Sequence, residues 1–410
     1  MLRVASVVAM VFALFVAVGS FVVTACAGET ATSQNNGSCK RTEDAQPAAP
    51  PSAVEMPDYA GDAEHAPDPR EQAQEKVWND YQRSLFEALG RSSDPRDWAL
   101  AGLLRRVEVY HDPNGDEAKA AYALLERAAK AAPDDVMVQW LVARTPSPTD
   151  EPFALATTAS KRLLQLEPNN AAFLLDELGV AARAKDMAAI DKVLARMSSR
   201  TDYNEHFIDI LKLALAAYER NPLPDAYLQF ATAQEKNMPR ESLAFVGAIA
   251  ISTSAAMPAY QHLVEACRLD PVSRVNANRA ADCGTLGHLL IARGSSLVAN
   301  RIGYAVLRVS RAYTDGDVAA ARRDDWVYAQ YMTLITDDSA FATAESIAAY
   351  EKDWFETGNE FETIRRRLVR AGIALEPPDD WADEKGAFSA EHLRADAARF
   401  EKNPQPNGSR

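Results

Sequence analysis

Apolar residues recur at intervals of three and four along most of the chain, from residue 71 to residue 402, where Ala, Leu, Arg and Glu dominate. This spacing places apolar side chains on one face of a helix, and no sustained apolar–polar alternation of the kind that marks a strand is present. The pattern therefore predicts an all-α fold. Helix pairs are predicted to start near residues 97, 136, 171, 205, 240 and 275.

The two ends of this helical region are predicted to act as caps. A helix over 71–90 carries four large apolar residues at helical spacing, Trp78, Tyr81, Leu85 and Leu89. Such a stripe indicates a buried face rather than a ligand site. At the other end, helices are predicted near 317–335, 339–355 and 359–372, and the two prolines in 374–381 stop the pattern.

Three predicted helix ends share a pattern, because a proline follows each of them, at Pro133, Pro168 and Pro271. Small and apolar residues precede each proline at offsets of 12, 8 and 5 positions: Ala121, Leu125 and Ala128; Ala156, Ser160 and Leu163; Ala259, Leu263 and Ala266. Small residues let helices approach closely, and proline cannot continue a helix. The spacing resembles the second helix of the tetratricopeptide repeat. Trp140 and Ala143 match the aromatic and next apolar position of that family's first helix.

This resemblance implies a solenoid of helical hairpins, an α-α superhelix, over residues 71–402. In such solenoids each repeat stacks on its neighbours, and the concave face binds peptides or proteins. The match spans roughly 97–312 and is degenerate, because no repeat carries the full set of consensus residues. Two repeats depart further from the family. The repeat at 171–200 is about two residues short in its second helix, and Asn221–Pro224 (NPLP) stands where a tight turn belongs.

Val4–Ala25 forms an uncharged run behind the positive start of the chain. A secretory signal peptide, an uncleaved transmembrane anchor and a lipoprotein signal peptide all fit this run. Val23–Cys26 (VTAC) resembles the bacterial lipobox and favours the third interpretation. The resemblance implies that residues 1–25 are a signal peptide and that Cys26 is lipidated. Because Ala27 rather than aspartate follows, it also implies an outer-membrane location facing the periplasm.

Residues 26–70 are predicted to form a disordered, Pro-rich tether. Positions 27–70 hold six prolines and only three large apolar residues, Val54, Met56 and Tyr59. Such a composition buries too little apolar surface to offset the entropy of ordering. Cys39 lies in this tether without an evident partner, and residues 403–410 are predicted to be a disordered tail.

The net charge of the chain bears on which kinds of partner it can bind. Lys and Arg total 44 against 58 Asp and Glu, which gives a net charge of −14. No basic stripe dominates, so binding of nucleic acid or of an anionic lipid surface by charge alone is not expected. The membrane is expected to be reached through the lipid anchor instead.

Cys267 and Cys283 lie at equal distances from residue 275, the centre of a predicted connection between helices. In an antiparallel hairpin, residues equidistant from the turn lie at the same height, so the two thiols are predicted to form a disulfide outside the cytosol. Closing a loop of about 15 residues stabilises a fold by about 3 kcal/mol in the chain-entropy model.

His262 and His288 are also symmetric about residue 275, which leaves a zinc site with both cysteines as an alternative. Unpaired thiols are a further alternative. A step of five residues turns a helix by about 140°. His262 and Cys267 therefore point to different faces, which favours the disulfide over the metal.

No catalytic motif is found: the chain has no phosphate-binding loop, nucleophile elbow, His-Glu-x-x-His or cofactor-binding fingerprint. Ser295 or Ser296 follows a helix stop and is interpreted as the N-cap of the next helix. Arg365–Leu368 (RRRL) suggests an anion site, but Glu360 and Glu362 on the same helix favour a solvated, salt-bridged face. Carboxylate pairs for acid–base chemistry would have to meet across helices.

Two classes of function are compatible with these observations. The first is a membrane-anchored lipoprotein that acts as a scaffold and binds a protein or peptide in the bacterial cell envelope. The alternative is a cell-envelope hydrolase built on a helical scaffold. A pocket that holds a carboxylate or histidine with a strongly shifted pKa favours the enzyme, and an open groove without one favours the scaffold.

Overall fold

The computed structural model describes residues 69–105, 115–145, 154–228, 240–256, 258, 260–268, 277–336, 343–382 and 386–402. The chain separates into two units, residues 1–79 and residues 80–410, and the described helices belong to the second unit apart from the beginning of the most N-terminal one. All elements within the described ranges are helices, which confirms the all-α class. The predicted signal peptide, tail and all but the last two residues of the tether lie outside these ranges.

The longer helices are numbered along the chain. They are α1 Pro69–Arg91, α2 Pro95–Leu104, α3 Asp116–Ala131, α4 Val136–Ala143, α5 Ala154–Leu166, α6 Leu175–Arg183, α7 Met187–Ser198, α8 Phe207–Arg220, α9 Arg240–Ala256, α10 Tyr260–Cys267, α11 Ala277–Arg293, α12 Leu297–Val309, α13 Asp315–Thr336, α14 Ala344–Thr357, α15 Glu360–Arg370 and α16 Ala390–Lys402. Short helical turns cover Ala171–Leu174 and Asp225–Leu228.

Side chains cap some of the helices that begin close to their predicted starts. Asp94 accepts a hydrogen bond from the Arg96 amide at the start of α2. Asp135 accepts one from Val138 at the start of α4. Each of these bonds satisfies a backbone N–H that has no partner within the helix. Local sequence therefore determines where these helices begin.

The first three predicted pairs form hairpins, in which α2 packs on α3, α4 packs on α5, and α6 packs on α7. Residues at the spaced positions before Pro133 are fully buried, namely Ala121, Leu125 and Ala128. A Cβ atom on Gly102 would lie 2.6 Å from Cγ of Leu125, so α2 and α3 are in close contact. At this hairpin small residues thus allow the predicted close approach, whereas before Pro168 Leu163 is buried and Ala156 and Ser160 are partly exposed.

The pairing differs from the prediction at α9 and α10, whereas the pair predicted to start near 275 forms, with α11 packed on α12. Helix α9 packs against α8, and α10 packs against α6 and α12. The pattern had instead predicted a pair that starts near 240. Helix α9 also buries Ser252 and Thr253, whose hydroxyl groups donate to carbonyls of their own helix.

Several contacts join parts of the chain that are distant in sequence. The Tyr81 hydroxyl of α1 donates to the Asn221 carbonyl at 2.7 Å, and Arg220 at the end of α8 pairs with the buried Asp97 of α2 at 2.6 Å. Repeats in a simple stack contact only their neighbours. The superhelical arrangement of the hairpins therefore stays a prediction, whereas the apolar stripe is confirmed as core at Tyr81, Leu85 and Leu89.

The C-terminal helices α13, α14 and α15 begin and end within a few residues of their predicted ranges. Gly358 ends α14 with a left-handed φ of 62°, and Asn359 caps α15 through the Glu362 amide. A cluster of apolar residues then packs α15 onto α12 and α13: Leu297, Val327, Phe361, Ile364 and Leu368. Caps and core together fix the position of α15, which carries the predicted Arg-rich segment.

Candidate functional site

A surface groove lies between α14 and α15 and has a volume of about 670 Å³. Its lining includes Lys352 and Glu356 of α14, which are one turn apart, and Glu362 and Arg366 of α15, which are also one turn apart. Residues four apart lie on the same face of a helix, so each helix turns one charged face toward the groove. In total four basic, three acidic and three apolar side chains line it.

Ion pairs arrange the charges of this groove. Arg370 pairs with Asp353 at 2.7 Å, and the hydrogen bond to Asp353 raises the pKa of Arg370 above its ordinary value. Glu356 is shared by Arg366 at 3.0 Å and Lys352 at 3.6 Å. Because Asp353 is buried, the accessible surface of the groove carries more positive than negative groups.

The apolar part of the groove is also accessible to solvent. Val369 lines it and is 60% exposed, although it belongs to a helix whose other large apolar residues are buried. Leu375 lies beside it at the edge of the groove. The groove therefore offers an exposed apolar contact among charged side chains, most of which are basic.

The Arg-rich segment is only partly the solvated face that the sequence favoured. Arg365 lies 3.8 Å from Glu362, and Arg366 pairs with Glu356, so both form surface ion pairs. Arg367 is different, because it is buried with its guanidinium carbon 4.4 Å from the centre of the Tyr350 ring. This cation–π contact ties α15 to α14 beneath the groove.

A second group of charged residues lies inside the protein, at the N-terminus of α12. Glu205 accepts hydrogen bonds from the amides of Ser295 at 3.3 Å and Ser296 at 2.9 Å. Glu360 accepts one from the amide of Leu297 at 2.7 Å. Both glutamates are buried. Sequence patterns did not predict this pair, because the two residues come from distant segments and meet only across helices.

Burial raises the pKa of both glutamates. The pKa of Glu360 rises to about 7: the Leu297 amide opposes the effect of burial, and the negative charge of Glu205 adds to it. The pKa of Glu205 is raised by burial although hydrogen bonds from Ser296 and Ser295 oppose this. These carboxylates satisfy the unpaired N–H groups of a helix start, so their immediate role is structural.

His206 forms a third charged group, again in the interior. Its ring nitrogens lie 3.1 Å from Asp209 and 3.3 Å from Glu167. Burial alone would lower the pKa of His206, but the hydrogen bonds to these two carboxylates raise it to about 9. The imidazolium stacks on Phe173 with ring centres 5.9 Å apart. It therefore acts as a buried cation that joins α8 to the preceding hairpins.

The Sγ atoms of Cys267 and Cys283 lie 2.06 Å apart, the distance of a disulfide bond, with Cα atoms separated by 5.7 Å. The two histidines of the zinc alternative lie near other groups. Nε2 of His288 is 2.9 Å from Asp317. The pKa of His262 is lowered mainly by burial and further by the positive charge of Arg183. Within the described ranges, no three His, Cys, Asp or Glu side chains are grouped to hold a metal.

The structure describes some of the remaining predicted site residues but not others. Ser296 caps α12 by accepting from the Ala299 amide at 3.1 Å, as predicted, and Ser295 lies just before it. Cys26 and Cys39 lie outside the described residues. In the part of the chain that the structure describes, no helix combines the length and apolar character needed to cross a bilayer.

Comparison of the chain with protein-family models, with characterised proteins and with solved structures finds no match. The likeness to tetratricopeptide repeats and to bacterial lipoproteins therefore stays a prediction from residue patterns. The groove and the buried charged groups are the structural features that bear on function.

Proposed function

We propose that this protein is a lipid-anchored scaffold of the bacterial cell envelope and that it binds a protein or peptide partner. The lipobox-like Val23–Cys26 supports the anchor at Cys26. Paired helices that present surface grooves support the binding role, because such grooves commonly accept extended or helical peptides. The expected location is the outer membrane, with the helical region facing the periplasm.

The groove between α14 and α15 is the observation that carries the binding role. The chain as a whole has a net charge of −14, yet four basic and three acidic residues line this groove, and the acidic Asp353 is buried under Arg370. A peptide with carboxylates around one apolar side chain matches these features. The carboxylates would face Arg365 and Arg366, and the apolar side chain would contact Val369.

The hydrolase alternative is less well supported. A raised pKa is expected of some catalytic carboxylates, and Glu205 and Glu360 have one, but both are buried and hydrogen-bonded to backbone amides. Neither lines the groove between α14 and α15. A catalytic carboxylate must reach a substrate, so this arrangement favours the scaffold.

Acidic peptides are expected to bind the full chain, in detergent, more tightly than neutral or basic peptides of the same length. Fluorescence anisotropy with labelled Glu–Leu, Ser–Leu and Lys–Leu peptides measures this preference. The double substitution Arg365→Glu and Arg366→Glu is expected to weaken binding of the acidic peptide by about tenfold, because exposed ion pairs each contribute up to about 1 kcal/mol.

The matched control for this charge reversal is Arg83→Glu with Arg91→Glu, which changes two exposed arginines on α1 by the same charge. It is expected to leave peptide affinity unchanged at physiological salt. Equal affinity for all three peptides, or equal loss in both double variants, would contradict binding at the groove.

Lipidation is tested separately. In a bacterial host, radiolabelled palmitate is expected to label the wild-type chain and to be absent from Cys26→Ala. The variant Cys39→Ala is the control, because it removes a nearby cysteine outside the lipobox. Label that persists in Cys26→Ala contradicts the anchor but leaves the peptide-binding result unaffected.

A further inference from the structure

The start of α15 is held to the start of α12 by both backbone and side-chain atoms. The Glu360 carboxylate accepts from the Leu297 amide at 2.7 Å, while the Glu360 amide donates to the Ser295 carbonyl at 2.8 Å. The Asn359 side chain donates to the Gly294 carbonyl at 2.8 Å. Helix α15, one wall of the groove, is therefore positioned by a junction at which Glu360 makes two of the bonds.

Glu205, which lies just before α8, contacts the same junction. Its carboxylate bonds to the amides of Ser295 and Ser296, and that of Glu360 bonds to the next amide, Leu297. Since these nitrogens are consecutive along the backbone, the two carboxyl groups are neighbours. A helix N-terminus offers only about half a unit of positive charge. Two buried negative charges exceed it, and neighbouring carboxylates in one site favour the binding of a proton.

The other groups that face the junction keep a constant charge around neutral pH. Tyr203 and Tyr260 face Glu205, and burial raises the pKa of both, so they remain neutral. The tyrosines that face Glu360 also have pKa values raised by burial: Tyr328, Tyr331 and Tyr350. The cations near these tyrosines are all arginine side chains: Arg144, Arg301 and Arg367.

Two further neighbours complete the surroundings of this pair. His206 follows Glu205 in the chain, and its pKa of about 9 lies above the range in which the carboxyls titrate. The Ser295 hydroxyl is buried and has no hydrogen-bond partner among the residues that the structure describes. Neither carboxyl group therefore uses this hydroxyl as a hydrogen-bond partner.

We propose that Glu205 and Glu360 share one proton in the folded protein and that loss of this proton at higher pH loosens the contact between α12 and α15. The junction thereby acts as a pH-sensitive support for one wall of the groove. The effect on the junction is independent of peptide binding. The consequence for the groove rests on the proposed function.

The sign of the effect is set by linkage. Glu360 has an ordinary pKa of 4.5, and in the folded protein its pKa is about 7. The folded junction therefore binds the proton more tightly than the opened one, and its stabilising effect is complete below about pH 4.5. The effect is lost progressively as pH rises toward about 7, and opening becomes about tenfold more frequent per pH unit in this window.

Hydrogen–deuterium exchange on the full chain tests this proposal. The Ser296 and Leu297 amides, corrected for intrinsic exchange, are expected to lose protection by about tenfold per pH unit between about pH 5 and pH 7. In Glu360→Gln the pH dependence of protection is expected to be clearly smaller, because the amide oxygen still accepts from Leu297 and the remaining Glu205 carboxylate has no second carboxylate beside it. Glu345→Gln, the same change at an exposed glutamate of α14, is expected to follow the wild type.

Protection that does not depend on pH in the wild type overturns the proposal, even if Glu360→Gln does not fold. Equal pH dependence in wild type and Glu360→Gln overturns it as well. Anisotropy with the acidic peptide at pH 5.5 and pH 7.5 then separates the two ideas. Absence of binding at both values contradicts the groove function alone, whereas affinity that changes with pH in the wild type but not in Glu360→Gln supports the link between them.

Discussion

Replacing Trp140 with alanine is expected to lower the free energy of unfolding by about 4 kcal/mol, because the ring is fully buried and its removal leaves a large cavity. The ring centre lies 5.4 Å from that of Phe173 and 5.8 Å from that of His206. The guanidinium carbon of Arg144 lies 4.7 Å above it. The substitution therefore removes contacts with α8 and with the α6 hairpin at once.

Urea denaturation followed by circular dichroism at pH 7 measures this loss. Trp381→Ala is the matched control, because Trp381 lies half-buried in an irregular segment and contacts mainly Trp326 and Arg322. Its loss is expected to be less than half that of Trp140→Ala. Similar values for the two variants would show that Trp140 is not the centre of this part of the core.

Replacing Gly303 with alanine is expected to lower the free energy of unfolding by about 3 kcal/mol, the upper end for overpacking. A Cβ atom at this position would lie 2.7 Å from the Gly287 carbonyl oxygen and 2.7 Å from Cγ1 of Ile291. The carbonyl belongs to the backbone of α11 and cannot rotate away. Helices α11 and α12 must therefore separate to admit a single methyl group.

Two other glycines serve as comparisons for Gly303. At Gly287 the atoms nearest to an added Cβ belong to the Leu307 side chain, at 2.7 Å, and the Gly303 carbonyl oxygen is farther away at 3.0 Å. The expected cost of Gly287→Ala is therefore smaller than at Gly303. At Gly316 the nearest atom is the Thr314 hydroxyl oxygen at 3.4 Å, and alanine is expected to be neutral or stabilising by up to about 1 kcal/mol. Thermal unfolding of all three variants ranks their loss of stability. A destabilised Gly316→Ala together with a stable Gly303→Ala would contradict the predicted ranking.

Local patterns in the sequence were sufficient for the class of fold and for the starts of helices. Asp94 and Asp135 cap the helices that follow them, and such signals act over only a few residues. The pairing of helices was predicted correctly only while neighbours in sequence were neighbours in space. Helix α9 was placed in the wrong pair because its packing against α8 depends on surfaces that no short window of sequence describes.

The same distinction applies to the sites. The pairing of Cys267 with Cys283 was predictable from symmetry about one connection, which is a local feature. Glu360 looked like an ordinary acidic residue in the first turn of a helix, and nothing near Glu205 indicated a buried role. Their common partner, the start of α12, lies 63 residues from Glu360 and about 90 from Glu205. Only the tertiary structure brings these three segments together.

The contacts of Tyr81 and Asp97 with the end of α8 bear on the order in which the chain folds. A ribosome releases Tyr81 and Asp97 long before Arg220 and Asn221, the residues that complete their hydrogen bonds. Until then Asp97 lacks the arginine that pairs with it in the folded protein, and Tyr81 lacks the carbonyl to which it donates. Growth of the chain past residue 221 therefore sets the earliest moment at which its first helices reach their final packing.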